Sequence, residues 1–255
     1  MDEISLGGRH GIGLAPAGGP PRAAVVTAPS GRALPAVLLT LTVVTGVVDA
    51  ASFLGLGHIF TANMTGNVVF LGFAAAGAPG LSVARSGTAL AAFAVGALLA
   101  GRMTAAMRTG PRRPWATAAF AIEAGLLLAS AAVAAGSGND LTERGTVLYV
   151  VIVLTGLAMG IRNAAVRKLG VADLTTTVLT LGIAGLAADS SLAGGSNPGW
   201  RRRTGSVAAM FAGAALGAWL LRTSVARALG IAGVISAACA LAAWFTAAFS
   251  SPQAQ

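Results

Sequence analysis

A few polar side chains stand in or beside long apolar runs, and their types define the chemistry open to this chain. Asp49 lies near the end of a run that starts at about Leu34, and Asn63, Thr65 and Asn67 open the next one in the phrase FTANMTGN. The second half repeats the arrangement, with Asp173 followed by Thr175, Thr176 and Thr177 at the head of another short run. Glu123 sits near the middle of a further run, and Arg162 with Asn163 closes one more. A carboxylate held in hydrocarbon marks an ion or proton pathway, or else it pairs inside the bundle. Asp49 is thus a candidate proton or cation site, with a structural ion pair as the plainer explanation. Free N–H groups and the positive dipole end at a helix start can hold an anion or a polar solute. Asn63 and Asp173 serve equally well as simple helix caps. Thr180, one turn past Thr176, extends the same face or bonds to its own helix. Glu123 either acts as a coupling carboxylate or pairs across the bundle with Arg102 or Arg162. Arg162 and Asn163 either reach the interior near Asp49 or form a charged flank. Asp189 and Ser190 read as a solvated helix end, and the lone His58 as an interfacial residue rather than a metal ligand.

These side chains need elements that hold them in lipid, and the composition supplies them. Of 255 residues, 55% are hydrophobic and only 10% charged, with a mean hydropathy of +0.78. A soluble domain carries about 25% charged residues, so this chain lacks the means to cover a water-facing surface. Apolar runs of roughly 20 residues are long enough to cross a bilayer. Helical segments are expected at about 34–57, 63–77, 86–101, 115–135, 145–161, 174–188, 206–221 and 229–249. The 35 glycines suit close packing between membrane helices. Residues 1–32, rich in Gly, Pro and Ala, have no apolar period and read as a disordered tail, without the layout of a signal peptide. The remainder, 33–250, reads as one transmembrane domain in two halves, 33–136 and 145–250. Net charge is +9, but the Arg residues fall mostly between apolar runs, which speaks for membrane orientation before nucleic acid. Cys239 is single, so no internal disulfide is available, and it reads as a packing residue.

The halves match at a fixed offset. Gly46, Ala62, Asn63, Thr65, Val68, Leu71 and Gly72 align with Gly156, Ala172, Asp173, Thr175, Val178, Leu181 and Gly182 without a gap. Transporter folds are often built from such repeats, with sites where short or interrupted segments of the two halves meet. The count of crossings turns on the two short segments. If all eight cross, the 17 Lys and Arg residues divide eight to nine; if segments two and six dip in and return, they divide thirteen to four. The positive-inside bias favours the second arrangement and inverted halves, whereas tilt or bilayer thinning would let short segments cross.

The phrases GVVDAASFLGLGHIFTANMTGNVVFLG, MGIRNAAVRKLG and DLTTTVLTLGIAGLAAD resemble the YoaK-like family of bacterial membrane proteins, over about residues 35–250. The resemblance implies a bacterial inner-membrane protein without an established enzyme activity, and it supplies no substrate. Where that family usually has an uncharged amide before the Asn of its MGxxN phrase, this chain has Arg162. No cysteine pair, HExxH or phosphate-gripping GxxxxGK[ST] is present, so neither an enzyme class nor a cofactor is indicated. A membrane enzyme acting on lipid is a weaker option. The reading is an all-α polytopic bundle of about eight helices in two related halves, with a cytoplasmic N-terminus. It would act as a small-solute transporter or permease, with a non-transporting scaffold or sensor as the rival. Its partners would be the lipid bilayer, an unidentified solute or ion, and optionally a second copy of itself in a homo-oligomer.

Overall fold

A computed structural model describes residues 33–107, 113–137, 141, 145–169 and 179–248, and the structure discussed below is that of these residues. Eight α-helices occur among them: α1 (Ala33–Gly55), α2 (Met64–Ala75), α3 (Val83–Ala106), α4 (Arg113–Ala135), α5 (Gly145–Leu169), α6 (Leu179–Ala188), α7 (Trp200–Leu220) and α8 (Val225–Ala248). The chain is thus an all-α membrane bundle. Five helices (α1, α3, α4, α5 and α8) combine spanning length with mean hydropathy of 1.6 to 2.0. α7 has the length but opens with Trp200 and three arginines. By contrast, the 12 residues of α2 rise only about 18 Å, against a hydrocarbon core of about 30 Å.

Three helices run beyond their expected ends, always through charge. α3 continues past Gly101 to Ala106, α5 past Ile161 to Leu169, and α7 starts at Trp200 rather than Ser206. Arginine and lysine are good helix formers, and near a membrane surface their stems lie along the apolar face while the charge reaches water. An apolar window therefore stops at the first arginine although the backbone hydrogen bonding does not. The helix breaks are conventional. Ser82 accepts from the Arg85 N–H to cap α3, and the turn before it uses Gly77 and Gly80 at φ +84° and +77°. Inside α1, the hydroxyls of Thr40, Thr42 and Thr45 each donate to the carbonyl one turn back, at 3.0 Å, which satisfies them where water is absent.

The packing has a two-fold logic. α3 of the first half lies chiefly on α5 of the second, and α7 of the second lies on α1 of the first. α4 contacts both α5 and α8, α8 contacts both α1 and α4, α2 rests on α3 and α6 on α7. Exchanging the halves maps this set of contacts onto itself. Glycines make the two exchanged interfaces close. A Cβ on Gly46 would come within 2.5 Å of the Ala214 nitrogen and the Met210 carbonyl of α7, and one on Gly160 would strike the Phe93 carbonyl of α3. Gly46 and Gly156, matched in the repeat, each sit against the third helix of the other half.

Helix directions settle how the halves are related. Gly156 lies by Ala89 and Ala92 and Gly160 by Phe93 and Ala97, so α3 and α5 are parallel. Gly213 lies by Val43 and Gly217 by Val47 and Ala50, so α1 and α7 are parallel. The equivalent helices α4 and α8, however, are antiparallel: Glu123 meets Ser236, Leu128 meets Gly233 and Ala131 lies by Gly230. α1 is antiparallel to α8, with Gly55 beside Val225 at one end and Leu38 clustered with Cys239 and Ala240 at the other. α4 is antiparallel to α5, since Ala116 and Ala119 pack with Ile161 and Ala165. Hence α1, α4 and α7 run one way and α3, α5 and α8 the other. α1 and α3 oppose each other although α2 lies between them, so α2 makes no net crossing. The same holds for α6 between α5 and α7. The halves are inverted.

Candidate functional site

Where α1 ends, the chain turns back on itself. Gly57 (φ +85°) and His58 (φ +59°) adopt left-handed backbone, and the irregular stretch that follows returns to Asp49. That residue lies six positions before Gly55, about 9 Å inside the helix end. Asp49 Oδ1 accepts from the backbone N–H groups of Ala62 at 3.0 Å and Asn63 at 3.4 Å. Asn63 then caps α2, its side-chain oxygen accepting from the Gly66 N–H at 3.5 Å. Asn67 is fully buried: its Oδ1 accepts from the Phe60 N–H at 2.8 Å, and its Nδ2 donates to the Phe60 carbonyl. One amide thus satisfies both backbone groups of a residue that no helix serves. Phe53, Phe60 and Phe70 stack over the turn at 5.1 to 5.9 Å, and His58 meets Phe53 edge-on. Asp49, Asn63 and Asn67 are therefore gathered into one clamp, whereas Thr65 lies exposed on the outer surface of α2.

A second polar cluster occupies the centre of the bundle. Arg162 is 1% exposed and Glu123 fully buried. Arg162 Nη1 donates to Glu123 Oε1 at 3.2 Å and to the Leu41 carbonyl at 2.8 Å. Its Nη2 donates to Thr45 Oγ1 at 2.7 Å and approaches Met159 Sδ at 3.0 Å. Ser236 Oγ donates to Glu123 Oε1 at 3.1 Å. Four helices, α1, α4, α5 and α8, are tied through this one ion pair. Of the two sequence-based partners for Glu123, the structure selects Arg162. Arg162 itself lies inside the bundle rather than on a charged flank, because α5 continues for two further turns beyond it. Asn163, one residue on, turns its amide to the Met159 carbonyl of its own helix at 2.8 Å.

The two clusters share α1. Thr45, Asp49 and Ser52 follow one another at helical spacing and are all buried, so they line one face, with Thr45 in the Arg162 network and Asp49 in the clamp. Among the described residues, the buried charged side chains are Asp49, Glu123 and Arg162: two carboxylates and one guanidinium. Glu123 Oε2, Arg162 Nε and Asp49 Oδ2 have no hydrogen-bond partner among the described residues. Such an arrangement can bind and release a positive charge, or orient a small polar solute, within an apolar bundle.

Several expectations fall elsewhere. Asp173, Thr175, Thr176 and Thr177 lie outside the described residues. Thr180 is exposed. Asp189 is not merely a solvated end, since its Oδ2 pairs with Arg203 Nη1 at 2.6 Å. α1 and α5, the helices that precede α2 and α6, finish at opposite ends of the bundle, because they run in opposite directions. Among the described residues, no cluster of three or more His, Cys, Asp or Glu could hold a metal ion. Sequence reasoning missed Thr45, Thr61 and Ser236. Thr45 was findable as the residue one turn before Asp49; nothing in the sequence sets Ser236 apart from other small helix residues.

A family profile described as a protein of unknown function (DUF1275) matches residues 37–242. The chain is 37% identical over 154 residues to the UPF0700 transmembrane protein YoaK of Bacillus subtilis (strain 168), covering 60% of this chain and 65% of that protein, just under two thirds of its length. No solved structure matches. With four-fifths of its length under the family profile, the chain belongs to the YoaK-like DUF1275 family of bacterial multi-pass membrane proteins.

Proposed function

We propose that the protein is a small-solute transporter of the bacterial inner membrane, in which Asp49 and Glu123 act as coupling carboxylates. The observation that carries this reading is the buried column of charge at the inverted two-fold: Asp49, Arg162 and Glu123 lie on α1, α5 and α4, where the halves meet. Inverted halves with a helix that breaks and returns beside a buried carboxylate are the architecture from which secondary transporters are built. A column that only held helices together would gain little from charge, since apolar replacements of buried ion pairs are commonly neutral or stabilising. The directions of the helices put Arg102, Arg167, Lys168, Arg201, Arg202 and Arg203 at one end and Arg85, Arg222 and Arg227 at the other. The richer end carries the start of α1, and the positive-inside bias would set it in the cytoplasm. Residues 33–250 would form the transport domain, preceded by a separate tail over 1–32.

The rival reading, a non-transporting scaffold or sensor, draws on one observation. Asp49 Oδ1, Asn67 and Arg162 are each absorbed in hydrogen bonds that fix a turn or a helix contact. Proteoliposomes separate the two. Under an imposed proton or sodium gradient, uptake from a panel of radiolabelled amino acids, sugars and carboxylates should appear with the native chain and vanish with Asp49→Asn, while size-exclusion profiles stay unchanged. If Asn63→Ala disturbs assembly and no gradient-driven uptake depends on Asp49, the scaffold reading stands.

A further inference from the structure

Asp49 has a second oxygen that the clamp leaves unused. Oδ1 takes the Ala62 and Asn63 N–H groups, yet Oδ2 is buried without a partner among the described residues. Thr61 is fully buried, and its hydroxyl is likewise unpartnered among the described residues. The Ala62 N–H that bonds Asp49 Oδ1 adjoins Thr61, so one orphaned oxygen lies on the clamping carboxylate and the other on the neighbour of the residue it holds. A buried polar group without a partner is costly, and a ligand that both oxygens could bind would remove that cost at once.

The donor set says what. A carboxylate, a hydroxyl and the backbone carbonyls of the non-helical stretch 56–63 are hard oxygen donors, suited to an alkali or alkaline-earth cation and not to a soft metal. Unwound backbone carbonyls beside a broken helix are the means by which membrane carriers hold such ions. Charge then selects the valence. Glu123 and Arg162 cancel one another at 3.2 Å, and Asp49 leaves one negative charge over among the buried described residues. A monovalent ion closes that excess, whereas a divalent ion would replace it with an equal positive one. A bare proton would leave the Thr61 hydroxyl without a role.

We infer that Asp49 Oδ2 and Thr61 Oγ1, with carbonyls of the 56–63 turn, bind one sodium ion, and that this is the coupling ion. The second clause rests on the transport reading above; the first does not. The test uses the full chain in detergent at fixed ionic strength, with sodium chloride exchanged for choline chloride. Thermal unfolding should show a saturable sodium-dependent rise of roughly 5 °C when the ion is near a hundred times its dissociation constant. Labelled ²²Na⁺ should bind at about one ion per chain. Thr61→Val should weaken binding at least tenfold, Thr61→Ser should retain it, and Asp49→Asn should abolish it. If the native chain shows no saturable ²²Na⁺ binding and unfolds at the same temperature in sodium and choline, the site is refuted, even where pH alone shifts unfolding. Solute uptake that Asp49→Asn abolishes but sodium does not affect overturns the inference and leaves the transport reading standing. Saturable sodium binding without uptake of any solute supports the site and removes the transport reading.

Discussion

Replacing Arg162 by Met should be among the most damaging single changes in the bundle, and its cost can be worked from the contacts. The guanidinium makes four close approaches, to Glu123 Oε1, the Leu41 carbonyl, Thr45 Oγ1 and Met159 Sδ. Without it, Glu123 keeps only Ser236 as a donor, and the charge of the buried set moves from one negative to two. Stranding one member of a buried pair costs about 3–5 kcal/mol. Glu123→Gln is a different perturbation. The amide oxygen can still accept from Ser236 and Arg162, the guanidinium keeps Leu41 and Thr45, and the buried set becomes neutral. A cost of about 1–2 kcal/mol is expected, within the range for weakening a hydrogen bond to a charged group. In the double variant Arg162→Met/Glu123→Leu, the charge returns to one negative and the space is filled by apolar side chains of similar bulk. Its stability should lie within about 1 kcal/mol of the native chain. Reversible unfolding in SDS–detergent mixtures, followed by tryptophan fluorescence, measures all three. If the double variant is as unstable as Arg162→Met alone, or Glu123→Gln is the worse single change, the two side chains are not coupled and the central cluster is misassigned.

The inverted arrangement makes a labelling prediction. Cysteines placed at Gly80 and at Ser224, in a background with Cys239→Ala, should react with a membrane-impermeant maleimide from the same side; eight crossings would put them on opposite sides. Gly160→Val should prevent folding or cost several kcal/mol, because the added Cβ would strike the Phe93 carbonyl backbone. Gly72→Ala, with nothing within 4 Å of the added carbon, should instead stabilise α2 by about 0.5–1 kcal/mol; comparing the melting temperatures of the two in detergent checks both. Asn67→Ala removes the partner of both the N–H and the carbonyl of Phe60 and should free the turn. Thiol labelling of His58→Cys should then accelerate at least tenfold, and an unchanged rate would mean that the aromatic stack alone holds the turn.

How much of this was legible in the sequence depended on whether local or remote residues did the work. The apolar runs placed every helix to within a few residues, except where α3, α5 and α7 continue through arginine. That exception mattered, since ending α5 at Ile161 places Arg162 at the surface, whereas two further turns draw it into the centre. Asp49 and Asn63 stood out as polar groups flanking a break, and the structure joins them through backbone N–H groups that no side-chain pattern displays. Thr65 looked equivalent to Asn67 in the phrase FTANMTGN. Two residues apart on a short helix, they face different ways, and only Asn67 turns to the turn it must satisfy. Ser236 is 113 residues from Glu123, and such a contact exists only once α4 and α8 are set against each other.

The charge count and the helix directions are independent routes to one topology, and their agreement bears on mechanism. With Arg162 set aside as buried in the bundle, the remaining Lys and Arg residues divide twelve to four between the two sides of the membrane. The opposed directions of α1 and α3 follow from helix contacts that include none of those residues. Both require α2 to return to the side from which it came. A returning helix leaves backbone near Asp49 that α1 cannot satisfy, and the chain answers with the Asp49 carboxylate and the Asn67 amide. The acidic residue is therefore explained only in part by its role as a clamp, because Oδ1 alone meets that demand. An Asn at position 49 would do the same through its carbonyl without burying a charge. The choice of Asp over Asn is thus the feature that a purely structural account leaves over, and Asp49→Asn separates the two accounts: the clamp forecasts no effect of sodium in either protein, and the ion site forecasts an intact fold whose sodium sensitivity is lost.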